Sequence, residues 1–307
     1  MTAAARMLVT LGPCDDMRAE VFVRAMDDVA AGARITGRVS GPRRGRDITL
    51  PTTSRLAPLA ESLAGPAARA ILTEPAFWTP ELPNRYRLEA RLELSDGGLR
   101  LHDSWIGLRR LGVRGRSFWL DGRRWVPRVV AGVADVSTAK QGEVGIAVES
   151  PDDDLLQQAD EIGVAVVSLL DGTMLEASRI VAWAGHPAAL LAVVRGGPPD
   201  ELAERIAAVR GAKGTLLVGL EVDGGQPPPP AVVGPDFLVA RLPVGGLPHD
   251  GWRAVPASPV IARRSDVMHA AAGPRAGCDA LQRDLALWGV AGGGDATQWD
   301  WAGYLVG

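Results

Sequence analysis

The chain has 307 residues, 47% of them hydrophobic and 22% charged, with 33 basic residues against 36 acidic ones. This balance excludes a disordered chain, and a net charge of −3 offers no basic excess for nucleic acid. Two cysteines, Cys14 and Cys278, and four scattered histidines exclude a disulfide framework and show no metal-ligand spacing, so neither a metal nor another cofactor is expected.

The first third reads as all-β. Short or alternating apolar runs ("MLVTLG", "AEVFVRAM", "ARITGRVSG", "RYRLEARLEL", "GLRLHDSWIGLRRLGV") are separated by turn clusters such as "GPRRGRD" and "DGG". They predict an immunoglobulin-like β-sandwich over residues 1–115, interrupted by one helix-like piece, "SRLAPLAESLAG" at 54–65. From about residue 122 the runs become continuously apolar, as in a parallel sheet covered on both faces. Eight strands are expected, at 125–132, 143–150, 165–171, 189–194, 215–222, 236–243, 259–264 and 301–307. Helices are expected at "DDDLLQQADEIG", "MLEASRIVAWAG", "PDELAERIAAVRG" and "CDALQRDLALWG". Loops replace helices at "VADVSTAKQG", "DGGQPPPPAVVGP" and "VGGLPHDGWRAVPA". Eight strands with intervening helices predict a small, reduced (β/α)8 TIM barrel over residues 116–307. With so few outer helices, the strands at 236–243 and 301–307 are expected to leave an apolar flank covered by another protein chain or a second copy.

The opening "MTAAARMLVTLGPCDD" has too short an apolar run for a secretory signal. No stretch approaches the ~18 apolar residues of a membrane span. A cytoplasmic protein with no membrane contact is the expectation.

Three consecutive segments carry a resemblance to a known family. "EPAFWTPELPNRYRLEARL" is similar to P-x-L-W-S-P-E-x-P-x-L-Y-x-L, "IGLRRLGV" to F-G-F-R-x-I-x-V, and "FWLDGRRWVPRVV" to F-x-L-N-G-K-P-V-x-L-R-G. These patterns belong, in this order, to glycoside hydrolase family 2, the β-galactosidases, β-glucuronidases and β-mannosidases. Phe118, Leu120, Gly122 and Arg128 match without a gap. "DEIGVAVVSLL" resembles the family's D-E-x-G-I-x-V, and "RIVAWAGHPAALLAVVRGG" its R-x-x-N-H-P-S-I-x-x-W-S-L-G-N-E. The resemblance implies a carbohydrate ligand and two catalytic glutamates. It also implies that the family's amino-terminal sugar-binding jelly roll lies outside this chain.

Both glutamates are replaced. Counting forward from His186-Pro187, the acid/base position falls on Gly197. "SPVIARRS" resembles K-P-I-I-x-x-E-Y-G, which sets Arg263 or Arg264 at the nucleophile position. A retaining glycosidase needs two carboxyl groups roughly 5–5.5 Å apart. Glycine supplies none, and arginine cannot be deprotonated in a protein. The resemblance therefore implies a pseudo-glycosidase that binds or assembles. The alternative is an active enzyme using relocated acids at the barrel mouth, for which Glu149, Asp171 and Glu221 are the candidates. Arg128, Arg195 and Trp252 are the candidate ligand contacts. Arg264, or Arg263 if the alignment slips by one, is expected to point toward the barrel axis and pair with one of the three acids.

Overall fold

The computed structural model describes residues 7–26, 32–45, 47, 49–59, 65–133, 135–230, 233–254, 258–265, 273–290 and 300–307. The chain divides into two units, Met1–Arg110 with Gly185–Pro187, and Leu111–Ala184 with Ala188–Gly307.

Seven antiparallel strands build the first unit: β1 (Met7–Cys14), β2 (Arg18–Ala25), β3 (Arg34–Arg43), β4 (Thr52–Pro58), β5 (Ala67–Thr73), β6 (Arg85–Glu93) and β7 (Leu99–Ile106). Their order is β1-β2-β5-β4-β3-β6-β7. Strand β4 changes partner along its length, pairing through Thr52–Leu56 with β3 and through Ala57 and Pro58 with β5. The sheet thereby folds into two layers, β1-β2-β5-β4 and β3-β6-β7, the arrangement of an immunoglobulin constant-type sandwich. Alternation sets the core: β2 buries Ala19, Val21, Val23 and Ala25, and β6 buries Tyr86, Leu88, Ala90 and Leu92. Each fully buried Val or Leu contributes about 1.5–3 kcal/mol. The helix expected at 54–65 is overturned where it is described, because residues 54–58 lie in β4. Leu56 is one of the core side chains there, and cross-strand pairing with β3 overrides the helical spacing. Residues 60–64 of that segment lie outside the described residues.

The second unit opens with a three-stranded antiparallel meander, β8 (Leu111–Arg114), β9 (Ser117–Leu120) and β10 (Arg123–Trp125). Eight parallel strands then close into a barrel in chain order: β11 (Arg128–Ala131), β12 (Gly145–Glu149), β13 (Val166–Asp171), β14 (Ala189–Arg195), β15 (Leu217–Asp223), β16 (Phe237–Arg241), β17 (Val260–Arg264) and β18 (Gly303–Val306). Pairing of β11 with β18 completes the ring. The helices are α1 (Val136–Gln141), α2 (Asp153–Ile162), α3 (Ala177–Ala184), α4 (Pro199–Ala208) and α5 (Ala276–Val290). Among the described residues no helix is long and apolar enough to cross a membrane.

Two expectations change here. "VADVSTAKQG" is not only a loop. It contains the six-residue α1, started by Asp135, whose carboxylate accepts from the Thr138 backbone N–H at 2.8 Å. The flank left by missing helices is not bare either. Leu238, Ala240, Tyr304 and Val306 are buried within the chain itself. The loops after β15 and β16 are tied together by the fully buried Trp252, whose Nε1 donates to the Gln226 carbonyl at 3.0 Å. These strand side chains are therefore covered within the chain, while Val233, Val244 and Leu247 on the loops flanking β16 are exposed.

Candidate functional site: the charged mouth of the barrel

Strand register decides which side chains enter the barrel. Glu149, Leu169, Val193, Gly219 and Phe237 lie side by side around the ring, as do Asp223, Arg241, Arg263, Leu305 and Val129. These positions share one parity, and they point inward. A Cβ on Gly219 would stand 2.3 Å from the Phe237 ring, so glycine there makes room for the aromatic side chain. Phe237 in turn meets Phe118 edge-on at 5.2 Å between ring centres. The opposite parity, which includes Arg128 and Arg264, faces the outer helices.

At the carboxyl ends of the strands the inward positions become charged. Glu149 on β12 pairs with Arg195 on β14, and Glu221 on β15 pairs with Arg263 on β17. Each pair skips one strand, which is how interior side chains of such a barrel meet, since layers are filled from alternate strands. The two pairs differ in solvation. Glu149 keeps 73% of its side chain exposed, whereas Glu221 and Arg263 keep 9% each. Burying both ions is costly, and only their mutual attraction offsets the loss of hydration. Glu221 contacts a single guanidinium nitrogen, and the buried Nε of Arg263 has no hydrogen-bond partner.

Asp171, at the end of β13, is committed to its own turn. It accepts from the Thr173 backbone N–H at 2.8 Å and from the Thr173 hydroxyl at 2.6 Å. These bonds, with smaller help from Arg195 and Arg205, hold its carboxyl below the usual range. Past the end of β14 come Gly196, at φ +82°, and the exposed Gly197. A Cβ on Gly196 would lie 2.7 Å from Asp171 Oδ2, while one on Gly197 would make ordinary contact with Leu202.

The structure corrects the expected orientation on β17. Arg264 does not face the axis. Its Nη2 donates to Asp284 Oδ2 at 2.5 Å on α5, in the outer layer. Arg263 is the inward residue, because parity alternates along a strand and Arg263 shares its register with Arg241 and Leu305. Arg128, at the amino-terminal end of β11 and so away from the mouth, faces outward: its Nε and Nη2 donate to Asp279 Oδ1 at 3.2 Å and Gln282 Oε1 at 2.8 Å, both on α5. Trp252 has no exposed ring face. Of the candidate ligand contacts, only Arg195 stands at the mouth. Arg241, inward and exposed on β16, was not among the candidates. Its signal was available: "LVAR" ends a strand just as "AVVR" and "IARR" do. Among the described residues no group of three or more His, Cys, Asp or Glu could hold a metal ion.

Fold and mouth together define a β-sandwich followed by a parallel eight-stranded barrel whose inward rim carries ion pairs. This is the fold of the glycoside hydrolase family 2 β-glucuronidases. Similar solved structures include β-D-glucuronidase from Dictyoglomus thermophilum, at 13% identity and TM-score 0.66, covering 98% of this chain and 61% of that one. Bacteroides uniformis β-glucuronidase 2, covalently bound to cyclophellitol-6-carboxylate aziridine, matches at 15% identity and TM-score 0.61, covering 98% of this chain and 45% of that one. An FMN-binding β-glucuronidase from Facaelibacterium prausnitzii L2-6 matches at 14% identity and TM-score 0.61, over 84% of this chain and 48% of that one. The chain thus spans 45% to 61% of the length of these structures. At such identities the likeness establishes the fold alone. No protein-family profile and no curated protein sequence matches the chain.

Proposed function

We propose that this chain is a non-catalytic relative of the family 2 glycosidases, a binding or assembly module for a carbohydrate or another chain. The observation that carries the reading is the inward arginine at the end of β17, ion-paired with Glu221. At the other strand end where the family resemblance implies a glutamate, the chain has Gly197.

The remaining acids do not form a working pair. Glycoside hydrolysis by two carboxyl groups needs one protonated donor, usually with a raised pKa, and one free carboxylate. Glu149 and Glu221 are each ion-paired with an arginine, and Asp171 is shifted downward rather than upward. The test is hydrolysis of p-nitrophenyl β-glucuronide, β-galactoside and β-mannoside by the full chain. The expected result is no turnover above the uncatalysed background. Turnover that disappears in Glu149→Gln, Asp171→Asn or Glu221→Gln would overturn the proposal in favour of relocated acids.

A further inference from the structure

We infer that the barrel mouth contains an oxyanion site formed by Arg241 and Arg263, suited to a small ligand bearing a carboxylate or phosphate group. The inference deepens the non-catalytic reading of the same mouth and rests on it.

Arg241 and Arg263 are direct neighbours in register on β16 and β17, and both project inward. Two guanidinium groups so placed repel each other unless negative charge lies between or beside them. Glu221 balances the charge of Arg263 and Asp223 lies beside Arg241, yet neither carboxylate uses up the guanidinium donors. Glu221 touches one nitrogen of Arg263 and leaves the rest of the fork unused, with Nε buried and unpartnered. Asp223 is the registered neighbour of Arg241 on β15, but its Oδ1 accepts from the Gly225 backbone N–H at 2.9 Å, closing the turn after the strand. Among the described residues Arg241 has no ion-pair partner, and it is exposed at the rim. Elsewhere on the rim, Arg195 is matched by Glu149 and Asp171 by Thr173.

Guanidinium forks bind carboxylate and phosphate with paired, charge-assisted hydrogen bonds, and such bonds strengthen where one partner is withdrawn from water. Arg263 is the withdrawn partner, and Arg241 is the accessible one. An oxyanion spanning both would give Arg241 a counter-charge and use donors that Glu221 leaves free. Glu221 then acts as an internal competitor for the same guanidinium.

The experiment titrates the full chain with inorganic phosphate and, separately, with acetate, at ionic strength matched with chloride. Binding is read by calorimetry and by the Nε resonances of the arginines. Saturable binding of at least one anion is expected, weakened about tenfold or more in Arg241→Ala and unchanged in Arg205→Ala on α4. Glu221→Gln, where it folds, should bind several-fold more tightly. Phosphate alone binding would assign a phosphate ligand, and acetate alone a carboxylate. No saturable binding by either anion, or equal binding by Arg241→Ala, would overturn the inference. Hydrolysis of the p-nitrophenyl glycosides is measured on the same samples. Turnover would sink the non-catalytic reading, whereas absent turnover with absent anion binding would sink this inference alone.

Discussion

Replacing Glu221 with glutamine removes the only carboxylate that contacts Arg263 among the described residues and leaves the guanidinium buried among the strand ends. Breaking a buried pair by removing one partner costs about 3–5 kcal/mol, because the remaining charge has lost its hydration and gained nothing. In a domain of this size each kcal/mol moves Tm by roughly 2–4 °C, so Glu221→Gln should lower Tm by about 6–20 °C. The pair at Glu149 is the internal control. With most of the Glu149 side chain in water, that pair contributes about 0–1 kcal/mol, and Glu149→Gln should move Tm by no more than about 4 °C. Leucine at both Glu221 and Arg263 should recover most of the loss, since an apolar pair of similar size needs no hydration. The assay is a calorimetric melt of the four proteins at one pH and low salt. If Glu221→Gln melts no lower than Glu149→Gln, the mouth is open to water around Arg263, and the reasoning from a buried ion pair fails.

Three further outcomes are expected. Arg264→Glu sets a carboxylate against Asp284 on α5 and should destabilise by about 3–5 kcal/mol; adding Asp284→Arg should restore part of that, and urea unfolding of the single and double variants reads the coupling. Gly196→Ala should cost about 1–2 kcal/mol, because of its positive φ and its approach to Asp171, whereas Gly197→Ala should fall within about 0.5 kcal/mol of the parent by the same assay. Burial pushes the Cys278 thiol up to about 11, so between pH ~8.5 and 11 the unfolded chain sheds a proton that the native state keeps. Stability should therefore fall by about 3 kcal/mol as pH rises through that window, and Cys278→Ala should flatten the decline in denaturant midpoints taken from pH 8 to 11.

The barrel strands were legible in the sequence because each is buried on both faces. A run such as "ALLAVV" in β14 has nowhere to go but the middle of a covered parallel sheet. The sandwich strands with clear alternation, β2 and β6, were legible for the complementary reason that one face is core and the other is not. The alanine-rich β5 was not assigned, and β4 looked helical, because "RLAPL" carries apolar residues at helical spacing and only the pairing with β3 overrules it. Helix α1 is too short to show a periodicity, and its Asp135 cap is the one local mark it leaves.

For the site, the residue types at the strand ends can be read from the sequence: Gly197 where the family resemblance implies one carboxylate, and two arginines where it implies the other. The sequence could not determine which arginine faces inward. A strand apolar on both sides shows no alternation from which to count, so "IARR" reads the same with either residue on the axis. Register with β16 and β18 turns Arg263 toward Glu221, and the α5 carboxylate of Asp284 receives Arg264. The same one-residue alternation sends Arg128 outward to α5 and brings Arg241 to the rim, because strand geometry fixes parity only once the neighbouring strands are in place.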